Sequence, residues 1–167
     1  MTEILGIGAE ATLFKVDHSG APAVLKKRIP KSYRHEELDK RLTLQRTRRE
    51  VKILEKLPIP APKLLDTNNS SEITMSFIEG PLIKEILEDN VKLAEQIGKN
   101  LAKLHENNII HADLTTSNMI FNNNQVHFID FGLSFISQRV EDKAVDIHLF
   151  KQALESKHHT VKDKAYK

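Results

Sequence analysis

The stretch covering residues 110–132 reads IHADLTTSNMIFNNNQVHFIDFG. Two short apolar runs, at residues 119–121 and 126–129, flank the sequence Asn-Asn-Asn-Gln at 122–125. Asn tolerates the left-handed backbone conformation of tight turns, so this composition is typical of a turn. Two strand-like runs joined by such a turn predict a β-hairpin.

Three oxygen-bearing side chains surround this predicted hairpin. Asn118 comes just before its first strand, Asp130 comes just after its second, and Asp113 lies on the segment leading in. Because an antiparallel hairpin brings its open ends together, Asn118 and Asp130 become neighbours. A carboxylate beside an amide oxygen suits Mg²⁺, which fills its other positions with phosphate and water. We therefore predict Asn118 and Asp130 as metal ligands and Asp113 as the catalytic residue that orients a nucleophile.

The order of these residues matches a catalytic signature. The octapeptide from His111 to Asn118, HADLTTSN, followed by the Asp-Phe-Gly sequence at Asp130, has the pattern of protein kinases. Each half alone could consist of turn caps and strand ends, but the two in order, separated by one hairpin, favour kinase chemistry. Ala112 replaces the usual arginine, so control by activation-loop phosphorylation is not expected.

Length and composition restrict the class of protein. The 167-residue chain is long enough for one domain with a hydrophobic core. No stretch is apolar enough to span a membrane, and no apolar region follows Met1, so no signal peptide is expected. Without cysteine the chain has no disulfide framework. A cytoplasmic protein with no membrane partner is the expectation.

Charge is unevenly distributed along the chain. The net charge is +2, but residues 26–56 hold 12 Lys and Arg against 5 Asp and Glu, a local +7. Such asymmetry indicates a basic face for nucleic acid or for an acidic protein. A solvated helix surface would have the same composition, and this alternative stays open.

A glycine-bearing turn opens the chain. Residues 3–8 and 11–16 predict two strands, and a turn between them lets backbone N–H groups approach phosphates. Ala11 stands where the kinase pattern has a third glycine, and a simple tight turn is the alternative. The residues predicted to bind ATP here are Gly6, Gly8, Ala9, Glu10 and Ala11.

A lysine and a glutamate complete the predicted phosphate site. Residues 21–27 predict a third strand, in which Lys26 shares a face with Val24 and is favoured over Lys27 for binding the ATP phosphates. A kinase holds this lysine with a helix-borne glutamate. Glu50 precedes the apolar stripe of a predicted helix and is favoured over Glu55, which is expected to be solvated.

A second nucleotide contact is predicted where the small sheet ends. Residues 63–66 and 73–78 predict strands, and the following Glu-Gly-Pro resembles a hinge. In that case Met75 borders the adenine pocket, and backbone groups of Phe77, Ile78 and Glu79 bind the base. Plain core packing of Met75 is compatible with this role.

The second half of the chain predicts helices. Asn90 is expected to cap a helix ending at Glu106, whose apolar face is Leu93, Ile97, Leu101 and Leu104, with Gly98 allowing close packing. A further helix over residues 141–154 is expected to bury Val145, Leu149 and Ala153. Asp146 either hydrogen-bonds the catalytic-loop backbone or lies on the surface.

Further motifs give a family resemblance. The sequence is similar to the kinase subunit of the KEOPS complex over about residues 6–154, in motifs of the glycine turn, the lysine strand, the basic segment, the catalytic loop and the last helix. The motifs are GAEA at Gly8, KSYRH at Lys31, RTRRE at Arg46, IHADLTTSN at Ile110, DFGLS at Asp130 and EDKAVD at Glu141.

This resemblance implies an α+β, minimal protein-kinase-like bilobal fold. An N-lobe of antiparallel sheet plus helix at 1–79 and a reduced, mostly helical C-lobe at 80–167 would form a single domain, 1–167, with a frayed tail at 156–167. It also implies a Mg²⁺- and ATP-dependent atypical Ser/Thr kinase or ATPase that supports threonylcarbamoyladenosine formation in tRNA. The implied partners are the threonylcarbamoyltransferase subunit, a small regulatory subunit and tRNA, the last through residues 26–56.

Other functions remain open at this point. RIO-like kinases and small-molecule phosphotransferases also combine a His-Ala/Gly-Asp loop with a later Asp. A nucleotide-binding scaffold that only regulates its partner is a different class. The complete set of Lys26, Glu50, Asp113, Asn118 and Asp130 argues against an inactive kinase.

Overall fold

In the computed structural model, which describes residues 3–32 and 34–166, the chain divides into two units. The first consists of Met1–Glu55 and Pro62–Phe77, and the second of Lys56–Ala61 and Ile78–Lys167. The lobe boundary expected between residues 79 and 80 stays a prediction. Tyr33, part of the KSYRH motif, lies outside the described residues.

The first unit is built on an antiparallel sheet of five strands in the order β1-β2-β3-β5-β4. The strands are β1 (Glu3–Ile7), β2 (Ala11–His18), β3 (Ala21–Arg28), β4 (Leu64–Thr67) and β5 (Glu72–Ser76). The turn between β2 and β3 places Ser19 and Gly20 at φ 56° and 84°, a conformation that glycine adopts without strain. The predicted strands of this half are confirmed.

One long helix, α1 (Glu36–Leu54), accompanies this sheet. Its buried residues are Asp39, Thr47, Glu50, Val51, Ile53 and Leu54. The apolar members supply packing, and Glu50 adds a buried carboxylate to the same face. Glu55 is exposed, as predicted.

The second unit combines helices with two small two-stranded sheets, β6–β9 and β7–β8. Its helices are α2 (Ile83–Ile86), α3 (Leu93–Glu106), α4 (Val140–Lys157) and α5 (Lys162–Ala165). Its strands are β6 (Ile109–Ile110), β7 (Met119–Asn122), β8 (Gln125–Phe128) and β9 (Phe135–Ile136). Across residues 3–32 and 34–166, no helix has the length and apolarity needed to cross a bilayer.

The predicted hairpin is β7 and β8. Asn122 pairs with Gln125, so the connecting turn has two residues. Asn123 and Asn124 have φ of 48° and 61°, the left-handed conformations that a two-residue hairpin turn needs. The sequence-based reason for the hairpin, the tolerance of Asn for this conformation, is therefore the observed one.

Helix α3 buries its predicted apolar face, but two details differ. The helix begins at Leu93 and its N-cap position is Lys92, so Asn90 is not the cap. Asn90 instead accepts a hydrogen bond from the Leu93 amide through its backbone carbonyl at 3.1 Å. Gly98 is exposed with no atom within 4 Å of a built β-carbon, so it does not serve close packing.

Helix α4 buries a different face from the predicted one. Its buried residues are Asp146, Phe150 and Leu154, whereas Val145 is 58% exposed. The prediction followed the aliphatic residues and missed that a hydrogen-bonded carboxylate can occupy the core. The buried face of α4 is therefore displaced from the predicted face by one residue around the helix.

The frayed tail expected at 156–167 stays a prediction, and the described part of this segment includes helical residues. Helix α4 continues to Lys157, α5 follows, and His158 is buried. The His158 ring Nε2 lies 3.0 Å from the Thr116 hydroxyl. The two residues are 42 positions apart, so this contact could not be predicted from the local sequence. Lys167 lies outside the described residues.

Candidate active site

In the first unit, a buried carboxylate binds two cations. Lys26 Nζ lies 2.7 Å from Glu50 Oε1, and Arg28 Nη2 lies 2.6 Å from Glu50 Oε2. The exposed fractions of the Lys26 and Glu50 side chains are 7% and 2%. The pair predicted between Lys26 and Glu50 is therefore present, with each carboxylate oxygen bound to a different cation.

Strand alternation separates Lys26 from its neighbour. Lys27 is 52% exposed and pairs with Glu72, its register partner on β5, at the other face of the sheet. Arg28 returns to the face of Lys26, since alternate strand residues share a face. Arg28 was not among the predicted site residues, although the same alternation places it on this face.

The glycine turn joins β1 to β2. The Gly8 amide donates to the Ala11 carbonyl at 2.9 Å, and a β-carbon at Gly8 would lie 3.3 Å from that oxygen. Nothing lies within 4 Å of a β-carbon built at Gly6. The turn is tight at Gly8 and open at Gly6, and Ala9 is exposed beside it.

The side chain of Glu10 turns toward the basic segment. Arg46 of α1 donates to Glu10 Oε2, and Arg34 Nη2 lies 3.5 Å from Glu10 Oε1. Burial of the Glu10 carboxyl acts to raise its pKa, but the hydrogen bond and charge of Arg46 and the charges of Arg34 and Arg28 hold the pKa below its ordinary value. Glu10 is thus ionised and paired at neutral pH.

The residues predicted to contact the base lie at the end of β5 and beyond. Met75 is buried between Val24 and Leu64 in the sheet register. The Phe77 amide donates to the Pro22 carbonyl at 3.3 Å, and Lys15 Nζ lies 4.5 Å from the Phe77 ring centre. Ile78 and Glu79 belong to the second unit, where the Glu79 carbonyl accepts a hydrogen bond from Asn122.

In the second unit, the catalytic loop is closed by its own asparagine. The Asn118 side-chain amide donates to the Asp113 backbone carbonyl at 2.9 Å and to Asp113 Oδ2 at 2.8 Å. The Ile129 amide donates to the Asn118 carbonyl at 2.9 Å, which ties the loop to the segment before Asp130. Since the nitrogen of the Asn118 amide is engaged, its oxygen is left to accept or coordinate.

Two residues of this region have strained backbone. Ala112 has φ 65° and Asp130 has φ 60°, which non-glycine residues rarely adopt. Such conformations cost of order 1–3 kcal/mol and occur most often at functional sites. The Asp130 carboxylate accepts a hydrogen bond from the Gly132 amide at 3.3 Å, which orients it.

His111 forms the buried centre of the loop. Its Nε2 lies 3.1 Å from the Ile129 carbonyl, and its Nδ1 accepts a hydrogen bond from the Asp113 amide at 3.3 Å. Burial lowers the pKa of His111, against the opposing charges of Asp146, Asp113 and Asp130. The imidazole is therefore neutral, with its proton on Nε2, and it holds the Asp113 backbone.

Asp146 supports the loop from α4. Its carboxylate accepts hydrogen bonds from the amides of His111 and Ala112 at 2.9 and 2.8 Å and lies 3.0 Å from the His105 ring. Burial acts to raise the pKa of Asp146, but these hydrogen bonds hold the pKa below its ordinary value. Of the two positions predicted for Asp146, the structure shows the hydrogen bond to the catalytic-loop backbone and not the surface position, since the residue is buried.

The donor set limits which metal these residues fit. Asn118 and Asp130 offer hard oxygen donors, and no group of three or more His, Cys, Asp or Glu suited to a metal occurs in residues 3–32 and 34–166. A protein-only cage is therefore absent from that part of the chain. Two oxygen side chains fit Mg²⁺, which takes its other ligands from phosphate and water.

Comparison with known proteins gives the family. The profile described as "Protein kinase domain" matches residues 1–152. The chain is 39% identical over 168 residues to the KEOPS complex subunit Bud32 of Pyrococcus abyssi, covering 91% of this chain and 76% of that protein. It is 40% identical over 170 residues to the EKC/KEOPS complex subunit BUD32 of Enterocytozoon bieneusi, covering 90% and 81%.

Another group of relatives is longer. A probable bifunctional tRNA threonylcarbamoyladenosine biosynthesis protein of Methanocaldococcus jannaschii is 43% identical over 160 residues, covering 93% of this chain but 30% of that protein. The chain thus spans about a third of the length of such bifunctional relatives. With the kinase profile over most of its length and Bud32 relatives matched over most of theirs, the chain belongs to the protein kinase domain family and, within it, to the Bud32 family.

Proposed function

We propose that this chain is a Mg²⁺- and ATP-dependent phosphotransferase or ATPase that serves tRNA threonylcarbamoyladenosine synthesis as a KEOPS subunit. The names of the Bud32 and bifunctional relatives support the pathway and the complex. The observation that carries the chemistry is the double hydrogen bond from Asn118 to Asp113, because it fixes a carboxylate beside a free amide oxygen.

In the first unit, residues of the sheet and of α1 bind the nucleotide. Lys26 binds the α- and β-phosphates, and Glu50 holds Lys26. Backbone amides of Ala9 and Glu10 in the turn bind phosphate oxygens, since the Gly8 amide is already hydrogen-bonded to the Ala11 carbonyl. Met75 and Phe77 contact the adenine.

In the second unit, the proposal assigns the reacting end. Asn118 and Asp130 would hold Mg²⁺, which supplies neutralisation of the phosphate charge when bound. Asp113 accepts the proton of the attacking hydroxyl or water, or orients it, through the oxygen not bound to Asn118. His111 and Asp146 hold the loop backbone so that Asp113 is positioned before the nucleotide binds.

Two nucleophiles are compatible with this arrangement, water and a Ser or Thr hydroxyl. Catalysis in either case consists of positioning and charge stabilisation, with little covalent chemistry for the protein. We propose the threonylcarbamoyltransferase subunit and a small regulatory subunit as partners, and a cytoplasmic location. The basic residues of 26–56 provide the contact surface for tRNA in this proposal.

The proposal is tested by turnover of γ-labelled ATP by the purified chain, with and without the threonylcarbamoyltransferase subunit, scoring free phosphate separately from labelled protein. Phosphate release that rises with the partner supports an ATPase of a tRNA-modifying assembly. Label mainly on Ser and Thr, indifferent to the partner, supports a protein kinase. Binding of ATP without turnover in either condition would contradict the enzyme assignment and favour a nucleotide-binding scaffold.

A further inference from the structure

The glycine turn is fastened to α1 by an ion pair that the proposed chemistry does not use. Glu10 belongs to the turn between β1 and β2, and its carboxylate accepts a hydrogen bond from Arg46. The exposed fractions of the two side chains are 38% and 29%, so the pair is partly screened by solvent. It joins residues 36 positions apart in the sequence.

Arg46 lies one helical turn before Glu50. Residues four apart on a helix are neighbours on the same face. Consecutive turns of α1 therefore carry one ion pair to the glycine turn, through Arg46, and one to β3, through Glu50 and Lys26. The helix connects the two parts of the first unit to which phosphate binding is assigned.

A second route leads from Glu10 to the start of the same helix. Arg34 lies 3.5 Å from Glu10 Oε1 and donates to Asp39 Oδ1 at 3.3 Å. Asp39 is buried in the first turn of α1 and also accepts a hydrogen bond from the Lys31 amide at 3.3 Å. The turn is thus tied to α1 near both its beginning and its middle.

The pairing of Arg46 distinguishes it from its neighbours on α1. Arg48, Arg49 and Lys52 are exposed, and within residues 3–32 and 34–166 none of them forms an ion pair with Asp or Glu. If all four cations belonged only to a solvated helix surface, Arg46 would be unpaired in the described part of the chain, like the other three. The selective pairing of Arg46 therefore indicates a specific contact.

We propose that Glu10 and Arg46 are positioning residues, whose ion pair holds the glycine turn at a fixed place relative to the helix that carries Glu50. Its effect on nucleotide affinity rests on the proposed function, because the turn matters only if its amides bind phosphate. A fixed turn presents its N–H groups before the ligand arrives, and such preorganisation improves affinity by reducing the ordering required on binding. Without the pair, phosphate contacts weaken while base contacts are retained.

The test compares Glu10→Gln, Arg46→Gln, their double variant and Arg46→Lys, with Arg49→Gln as the matched control on the same helix. Calorimetry measures binding of a non-hydrolysable ATP analogue and of adenosine, which has no phosphate. Each Gln variant should weaken the analogue by about 3- to 5-fold and adenosine by less than about 1.5-fold, since a partly exposed ion pair contributes at most an effect of this order. The double variant should lose no more than Glu10→Gln alone, because that single change already removes the contacts of Glu10 with both Arg46 and Arg34.

Arg46→Lys should keep most of the affinity, and Arg49→Gln should keep all of it. Equal losses for the analogue and adenosine, additive losses in the double variant, or an equal loss in Arg49→Gln would each overturn the proposal. Urea unfolding of every variant verifies that the fold is retained.

Amide hydrogen exchange of residues 6–12 gives a readout that needs no nucleotide. Exchange there should increase in Glu10→Gln and Arg46→Gln and stay unchanged in Arg49→Gln. If the wild-type chain bound no ATP analogue, the proposed function would fail, and the positioning proposal would be decided by exchange alone. Unchanged exchange in both Gln variants would overturn it.

Discussion

The side-chain amide of Asn118 donates hydrogen bonds to the Asp113 carbonyl and to the Asp113 carboxylate, at 2.9 and 2.8 Å. One amide group thus closes the loop between these two residues, which are five positions apart, and uses one oxygen of the carboxylate. The second oxygen of the Asp113 carboxylate can then orient the nucleophile, and the side-chain oxygen of Asn118 can bind the metal. The loop is positioned by its own side chains, supported by His111 and Asp146.

Replacing Asn118 should therefore affect two functions at once. Asn118→Ala removes a metal ligand and the support of Asp113, so turnover of ATP should fall by about 10²-fold or more. The Mg²⁺ concentration needed for half-maximal rate should rise as well, which a steady-state titration measures. Asn123→Gly, in the exposed hairpin turn at φ 48°, is the matched control. A variant with the wild-type Mg²⁺ dependence would show that Asn118 holds no metal.

The buried cluster of Lys26, Arg28 and Glu50 predicts an order of stability. Lys26→Met leaves Glu50 paired with Arg28 and should lower the free energy of unfolding by about 1 kcal/mol or less, while abolishing activity. Glu50→Gln leaves two buried cations without their carboxylate and should cost about 3–5 kcal/mol. Urea denaturation of both variants gives the comparison. The reverse order would mean that Arg28 does not neutralise Glu50.

Burial of His111 predicts a fall in stability as the solution becomes acidic. Its pKa in the folded chain is lowered from 6.5, so just below pH 6.5 the unfolded chain binds a proton that the native chain does not. The free energy of unfolding then decreases with falling pH, by up to about 1.4 kcal/mol per pH unit for each such proton. His127 and His158, whose pKa values burial also lowers, act in the same direction.

His111→Gln keeps a donor toward the Ile129 carbonyl and removes the titrating group. Its free energy of unfolding, measured by urea denaturation between pH 7.5 and 5.5, should depend less steeply on pH than that of the wild type. An unchanged slope would assign the dependence to the other histidines.

Two glycines should respond to alanine in opposite ways. Gly80 has φ 155°, and a β-carbon there would overlap the Phe121 carbonyl oxygen, so Gly80→Ala should destabilise the chain by about 2 kcal/mol or more. Gly98 is exposed within α3 with open space around it, so Gly98→Ala should stabilise by about 0.5–1 kcal/mol. Urea denaturation measures each change. A stabilising Gly80→Ala would contradict the observed approach of the two backbone segments.

Local patterns in the sequence predicted the structure correctly where a single chemical rule determines it. The hairpin follows from the tolerance of Asn123 and Asn124 for positive φ, and the face of β3 on which Lys26 lies follows from strand alternation. Both depend on residues close together in the sequence. The apolar face of α3 was predicted for the same reason, since its leucines and isoleucine follow the helical period.

Contacts between distant residues were less predictable. Asp146 occupies the core because the amides of His111 and Ala112, more than thirty residues earlier, satisfy its carboxylate. Its burial rotates α4 away from the face expected from Val145. The same holds for His158, whose partner Thr116 is 42 residues away, and for the contact of Glu10 with Arg46. The burial of a polar residue can be predicted only when its hydrogen-bonding or ion-pair partner is known.

The most direct test of the central claim is the rate of Mg²⁺-dependent ATP turnover by the wild-type chain and by Asp130→Ala, with circular dichroism to verify that the variant is folded. If Asp130 holds the metal against the phosphates, the wild type should turn ATP over and the variant should show no activity above background. Turnover by folded Asp130→Ala at the wild-type rate would contradict the assignment of this chain as a phosphotransferase acting through Asp113, Asn118 and Asp130.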